Sequence, residues 1–122
     1  MARVLVADDA SFMRQMIREI VEAEGHEVVG EASDGDEVVE EFKRLHPDIV
    51  TMDIVMPRRS GIDAVKSIMQ LQSDARVVMC SALGQESLVQ EALDAGACDF
   101  IVKPFKPDAV IATIQKVLEK PE

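Results

Sequence analysis

Four runs of strand length each lead straight into a residue that can do chemistry. "RVLVA" (3–7) leads to Asp8 and Asp9, and "DIVTM" (48–52) leads to Asp53. "RVVMC" (76–80) leads to Ser81, and "FIV" (100–102) leads to Lys103, with Pro104 next. If these ends meet, three carboxylates, one hydroxyl and one lysine share a site. Crowded carboxylates repel one another, the more so in the low dielectric beside a core, and call for a cation. A donor set of oxygens alone, with no histidine or cysteine, suits a hard ion such as Mg2+ that keeps several waters. A lysine and a hydroxyl facing that ion suit an incoming phosphoryl group, because they neutralise its equatorial oxygens during in-line transfer. One of the carboxylates would then be the nucleophile.

Taken singly, each residue has a plainer explanation. Asp9 reads equally as a cap on the first helix. Ser81 reads as a turn or helix-entry residue, and Lys103 as a solvated loop lysine. Asp53 is harder to dismiss, because it ends a run of mostly apolar residues. The joint pattern carries the argument.

Those residues need a frame that brings their segments together. A fifth run, "EVVGEA" (27–32), is more polar and suits an edge strand; the others are apolar on both faces, as buried parallel strands are. Amphipathic helix patterns lie between the runs. Met13, Met16, Ile17, Ile20 and Val21 form one stripe, with Gly25 as its stop signal. Val38, Val39, Phe42 and Leu45 form a second, ended by Pro47. Val65, Ile68 and Met69 form a third; Leu88, Val89, Ala92 and Leu93 a fourth, closed by Gly96; Val110, Ile111, Ile114, Val117 and Leu118 a fifth. The order is (βα)5, which predicts an α/β fold: a doubly wound parallel sheet of five strands with right-handed crossovers and helices on both faces. All strand C-termini then share one edge, where such sheets bind ligands. The expectation is a single domain over 1–122, with the fifth helix closing near "EKPE" and no output domain.

Composition narrows the functional class. The chain has 122 residues, 48% of them apolar, enough for one real core. No run is long enough to span a membrane, and the short apolar N-terminal run does not suit a signal peptide, so the expected location is cytoplasmic. Thirteen Lys and Arg against 23 Asp and Glu give a formal charge of -10, which argues against nucleic acid or an anionic membrane as partner. Cys80 and Cys98 have neither C-x-x-C nor zinc-ligand spacing and read as reduced thiols.

The chain resembles response-regulator receiver domains over essentially its whole length, and stand-alone chemotaxis regulators of the CheY type in particular. "VADDASFMR", "DIVTMDIVMPRRSGID", "VVMCSALG" and "AGACDFIVKPF" carry the likeness. It implies a flavodoxin-like sheet in the order 2-1-3-4-5. It implies Asp53 as the phosphoacceptor, Asp9 as a direct Mg2+ ligand, Asp8 acting through a metal-bound water, and Val55 completing the metal site through its backbone carbonyl. Lys103 matches the lysine that pairs with the phosphoryl group, Ser81 the switch hydroxyl and Phe100 the switch aromatic. Phe100 lacks a hydroxyl, so burying it costs less desolvation. Ala82 leaves room beside Ser81, Pro57 and Gly61 shape the loop after Asp53, and Pro104 implies a cis Lys103–Pro104 bond.

The resemblance further implies a histidine kinase as phosphodonor, a phosphatase as an optional partner, and a monomer acting as a switch rather than an enzyme. Its output face would be the fourth helix, fifth strand and fifth helix, binding a flagellar motor switch or a motor adaptor. The fourth helix carries Glu86, Glu91 and Asp94 with no Lys or Arg, which fits a basic partner better than an acidic motor segment. Val55 and Leu83, two residues beyond Asp53 and Ser81, are apolar and cannot orient an attacking water, so dephosphorylation should be slow. A phosphorelay intermediate is an open alternative. A phosphohydrolase of the haloacid-dehalogenase type needs a second aspartate where Val55 stands, and a flavodoxin-like carrier needs a neutral phosphate loop where Asp8 and Asp9 stand.

Overall fold

The computed structural model describes residues 1–119. Five strands alternate with five helices: β1 (Arg3–Ala7), α1 (Ser11–Ala23), β2 (Glu27–Ala32), α2 (Gly35–Leu45), β3 (Ile49–Asp53), α3 (Gly61–Leu71), β4 (Val77–Ser81), α4 (Glu86–Ala95), β5 (Asp99–Val102) and α5 (Pro107–Glu119). The strands form one parallel sheet in the order β2-β1-β3-β4-β5. The end of "EKPE", beyond Glu119, lies outside the described residues.

Successive side chains on a strand point to opposite faces, so the apolar runs feed two cores. Leu5, Val50, Met52, Val77 and Met79 pack under α2, α3 and α4 with Val38, Phe42, Val65, Ile68 and Val89. Val4, Val6, Ile49, Val78 and Ile101 pack under α1 and α5 with Ile17, Val21, Val110, Ile114 and Val117. The polar β2 lies at an edge, as its sequence suggests, with Glu27 and Glu31 exposed.

Helix ends follow from local chemistry. Asp34 caps α2 by accepting from Glu37 N–H, and Ser60 caps α3 by accepting from Asp63 N–H. Gly96 ends α4 at φ 124°, a left-handed conformation that costs a glycine little. At α1 the cap is Ala10, with no side-chain hydrogen bond, so Asp9 does not cap that helix.

Two strands run one residue later than their apolar runs predict. Asp53 pairs with Cys80 as the last residue of β3, and Ser81 pairs with Val102 as the last of β4. Each backbone is held by ladder pairing even though its side chain is polar. Asp53 and Ser81 are therefore fixed strand residues rather than loop residues.

Candidate functional site

The C-terminal ends of β1, β3, β4 and β5 meet at one edge of the sheet, and the site forms there. Asp8 follows β1 and is buried. Its N–H donates to the Ala32 carbonyl at 3.0 Å, and its Oδ1 accepts from Ala10 N–H at 2.9 Å. Its Oδ2 accepts from Lys103 Nζ at 2.9 Å. Asp53 is also buried, and its Oδ2 accepts from the same Lys103 Nζ at 3.0 Å. Val55 N–H reaches Asp53 Oδ1 at 3.4 Å. Asp9 is exposed and takes no part in these bonds. Carboxylate oxygens of Asp8, Asp9 and Asp53 nevertheless all lie within 4.8 Å of one another.

Lys103 is aimed by its backbone. Its N–H donates to the Ser81 carbonyl at 2.7 Å, extending the β4–β5 pairing. Its ammonium stands 6.0 Å from the centre of the Phe105 ring, and the Lys103–Pro104 bond is cis, as expected. Burial opposes the lysine's charge, but Asp8 and Asp53 together outweigh it and raise its pKa. At Asp53 burial dominates. It holds the carboxyl above the usual range, although Lys103 pulls the other way. Burial likewise pushes the neighbouring Cys80 thiol up to about 12, so it stays a protonated, inert core residue. Both cysteines are free.

One lysine cannot balance three carboxylates. The remaining negative charge and the all-oxygen donor set fit a hard divalent ion. The exposed Asp9 leaves a side of the cluster open to water and substrate.

The loop after Asp53 is tightly constrained. Gly61 N–H donates to the Ile54 carbonyl at 2.7 Å, and a Cβ on Gly61 would stand 2.2 Å from the Asp53 carbonyl. The Pro57 carbonyl accepts from Arg59 N–H at 2.8 Å and from Gly35 N–H at 3.4 Å. Arg58 pairs with Asp34 and Arg59 with Asp36, which ties this loop to the start of α2.

Ser81 and Phe100 share a groove. With Ala82, Leu83, Val89 and Val102 they line a groove of about 290 Å3 between α4 and β5. Ser81 is buried at its base, while Phe100 is 40% and Leu83 81% exposed. Ala82 N–H donates to Gln85 Oε1 at 2.7 Å, so the turn into α4 is held by a side chain rather than a helix cap. Glu86, Glu91 and Asp94 are exposed on α4.

Sequence reasoning missed the loop clip through Arg58, Arg59 and Gly35, and it missed Arg14. The only local signal for Arg14 is its spacing: Arg14 and Arg18 stand one helical turn apart on α1. Their shared partner, Glu31, lies on a different element.

Residues 4–115 match the response regulator receiver domain family. The chain is 55% identical over 115 residues to the chemotaxis protein CheY of Thermotoga maritima, covering 94% of this chain and 96% of that one. It is 53% identical over 116 residues to the chemotaxis protein CheY of Bacillus subtilis, covering 95% and 97%. Among solved structures, the CheX-CheY-BeF3-Mg+2 complex from Borrelia burgdorferi is similar with a TM-score of 0.92 and 40% identity, over 97% of this chain and 90% of that one. With that match, those relatives and the acidic edge described above, the chain belongs to the response regulator receiver domain family, as a CheY-like, phosphorylation-activated signalling switch.

Proposed function

We propose that this chain is a chemotaxis or motility regulator that takes a phosphoryl group from a histidine kinase's phosphohistidine onto Asp53 and then changes its α4-β5-α5 face. The observation that carries the reading is Lys103 Nζ held between Asp8 Oδ2 and Asp53 Oδ2. A cation poised on the acceptor carboxylate can follow the charge when a phosphoryl group arrives.

Mg2+ is the cofactor in this reading, and it would supply charge neutralisation for the transferring phosphoryl oxygens. Asp9, Asp53 and the Val55 carbonyl would hold it directly, and Asp8 through water. An Asp53 carboxylate oxygen attacks phosphorus, an O–P bond forms, and the donor's P–N bond breaks with its electron pair returning to the imidazole. Lys103 shifts from the Asp8 and Asp53 carboxylates to a phosphoryl oxygen. Ser81 turns from the groove base toward the same group, and Phe100 moves into the groove. Pro57 and Gly61 keep the Asp53 loop in place, Ala82 leaves space beside Ser81, and Pro104 sets the entry of the chain after Lys103.

Partner chemistry follows from the output face. Exposed Glu86, Glu91 and Asp94 favour a motor component or adaptor that docks with basic residues. The Borrelia burgdorferi relative's complex with CheX, BeF3 and Mg2+ supports both a protein partner and the ion. A phosphorelay intermediate would use the same acceptor and differ only in passing the group on. A phosphohydrolase is disfavoured by Val55, which offers no general acid.

Radiolabelled transfer from a phosphorylated histidine kinase tests the acceptor. Labelling of the wild type and none of Asp53→Asn is expected; an equally labelled variant would overturn the assignment. Capture by the phosphorylated form of a basic rather than an acidic motor peptide tests the partner class.

A further inference from the structure

Asp9 is the one exposed member of the carboxylate cluster, and among the described residues no hydrogen bond holds its side chain. Asp8 and Asp53 are buried and bonded to Lys103, whereas Asp9 is exposed. An exposed carboxylate can be aimed only by its backbone. Asp8 N–H on the Ala32 carbonyl and Ala10 N–H on Asp8 Oδ1 hold that backbone on either side, and a side chain on α1 holds the peptide between Asp8 and Asp9 itself.

Arg14 carries five N–H donors on a planar fork and uses them in two directions. Its Nε donates to Glu31 Oε1 on β2 at 2.8 Å. Its Nη1 donates to the Asp8 carbonyl at 2.6 Å. That carbonyl and Asp9 N–H belong to one planar peptide unit. Fixing the carbonyl fixes the plane from which the Asp9 Cα and side chain depart. Arg14 is itself held, since its side chain is 18% exposed and Glu31 is gripped from the other side by Arg18 Nη2 at 2.6 Å. The hydrogen bond from Arg18, above all, together with that from Arg14, keeps Glu31 ionised by lowering its pKa against the cost of burial. The α1 N-terminus has no side-chain cap, so Arg14 adds to the Asp8 Oδ1 bond from Ala10 N–H in tying the loop to the helix.

We infer that Arg14 is a positioning residue for the metal site: it orients the Asp8–Asp9 peptide and thereby the Asp9 carboxylate. This rests on the reading of Asp8, Asp9 and Asp53 as an Mg2+ site. Charge alone predicts the opposite sign from positioning. Arg14 is a cation near a cation site, so removing its charge should tighten Mg2+ binding if electrostatics rules, and weaken it if positioning rules.

Calorimetric titration with MgCl2 separates the two, using wild type, Arg14→Gln, Arg14→Lys and Arg18→Gln, with melting temperatures taken in EDTA. Arg18→Gln loses a Glu31 pair while the Arg14 bond to the Asp8 carbonyl remains available, so it controls for that pair. Arg14→Gln should weaken Mg2+ about ten-fold, the usual scale for losing an outer-shell partner. Arg18→Gln should stay within about two-fold of wild type while its melting temperature falls comparably. Arg14→Lys keeps the charge but lacks the planar fork that serves both acceptors, so it should also weaken Mg2+. Unchanged or tighter binding by Arg14→Gln overturns the inference, as does an equal loss in Arg18→Gln. If Arg14→Gln does not fold, wild-type affinity in Arg14→Lys overturns it. Wild type that binds no Mg2+ overturns the metal reading itself, whereas failure in the variants alone leaves that reading standing.

Discussion

Lys103 Nζ lies 3.0 Å from Asp53 Oδ2, although the two residues are 50 positions apart in the chain. The same ammonium also bonds Asp8, so one cation holds two buried carboxylates at the sheet edge. Truncating it leaves both without a counter-charge. Lys103→Met should cost roughly 3 kcal/mol in EDTA, as expected for breaking a buried pair. Added Mg2+ should return more stability to this variant than to wild type, because the ion takes over the lost charge. Urea unfolding with and without Mg2+ reads both effects, and an equal Mg2+ increment in the two proteins would refute the substitution of ion for lysine.

Asp53 carries a stability cost with a definite pH dependence. Burial raises its folded pKa, so the folded chain holds that proton more tightly than the unfolded chain does. Stability is therefore lost as pH rises from about 4, the ordinary carboxylate value, through the raised folded value. Asp53→Asn removes the ionisation. Without Mg2+ it should melt above wild type at pH 7, and the difference should close toward about pH 4. Melting curves across that range check it, and a variant less stable than wild type at pH 7 would contradict the burial argument.

Gly61 is needed for space. A Cβ there would meet the Asp53 carbonyl at 2.2 Å and the Ile54 Cα at 2.9 Å, both backbone atoms that cannot yield locally. Gly61→Ala should destabilise by about 1–3 kcal/mol and slow phosphoryl acceptance by shifting Asp53. Gly30→Ala is the comparison: its Cβ would meet the Leu45 Cδ1 at 2.5 Å, the movable end of a side chain. It should leave acceptance unchanged. Equal losses in both variants would count against the close approach at Gly61.

Val55 is 55% exposed beside Asp53. Its side chain has no group to orient water for attack on an aspartyl phosphate. Val55→Asn should raise the rate of phosphate release on the order of ten-fold, less than the roughly hundred-fold or more of a true general acid or base because an amide only orients the water. Release kinetics after labelling decide it, and an unchanged rate would place the slow step elsewhere.

The alternation of β-branched runs with amphipathic stripes determined the order of elements, the parallel sheet and the edge at which Asp8, Asp9, Asp53 and Lys103 emerge. Those patterns are local and survive reading one residue at a time. The sequence also placed the polar β2 at an edge and marked Gly25 and Gly96 as helix stops. Adjacent aspartates are equal in a sequence. Only the fold made Asp8 buried and paired with a lysine 95 residues away, and left Asp9 exposed. Only the fold joined Arg14 to Asp8 and Glu31, clipped Arg58 and Arg59 to α2, and pressed Gly61 against Asp53. It also extended β3 and β4 by one polar residue, because ladder pairing is decided by the neighbouring strand. Burial and pairing depend on which distant segments arrive together, and no local period records that.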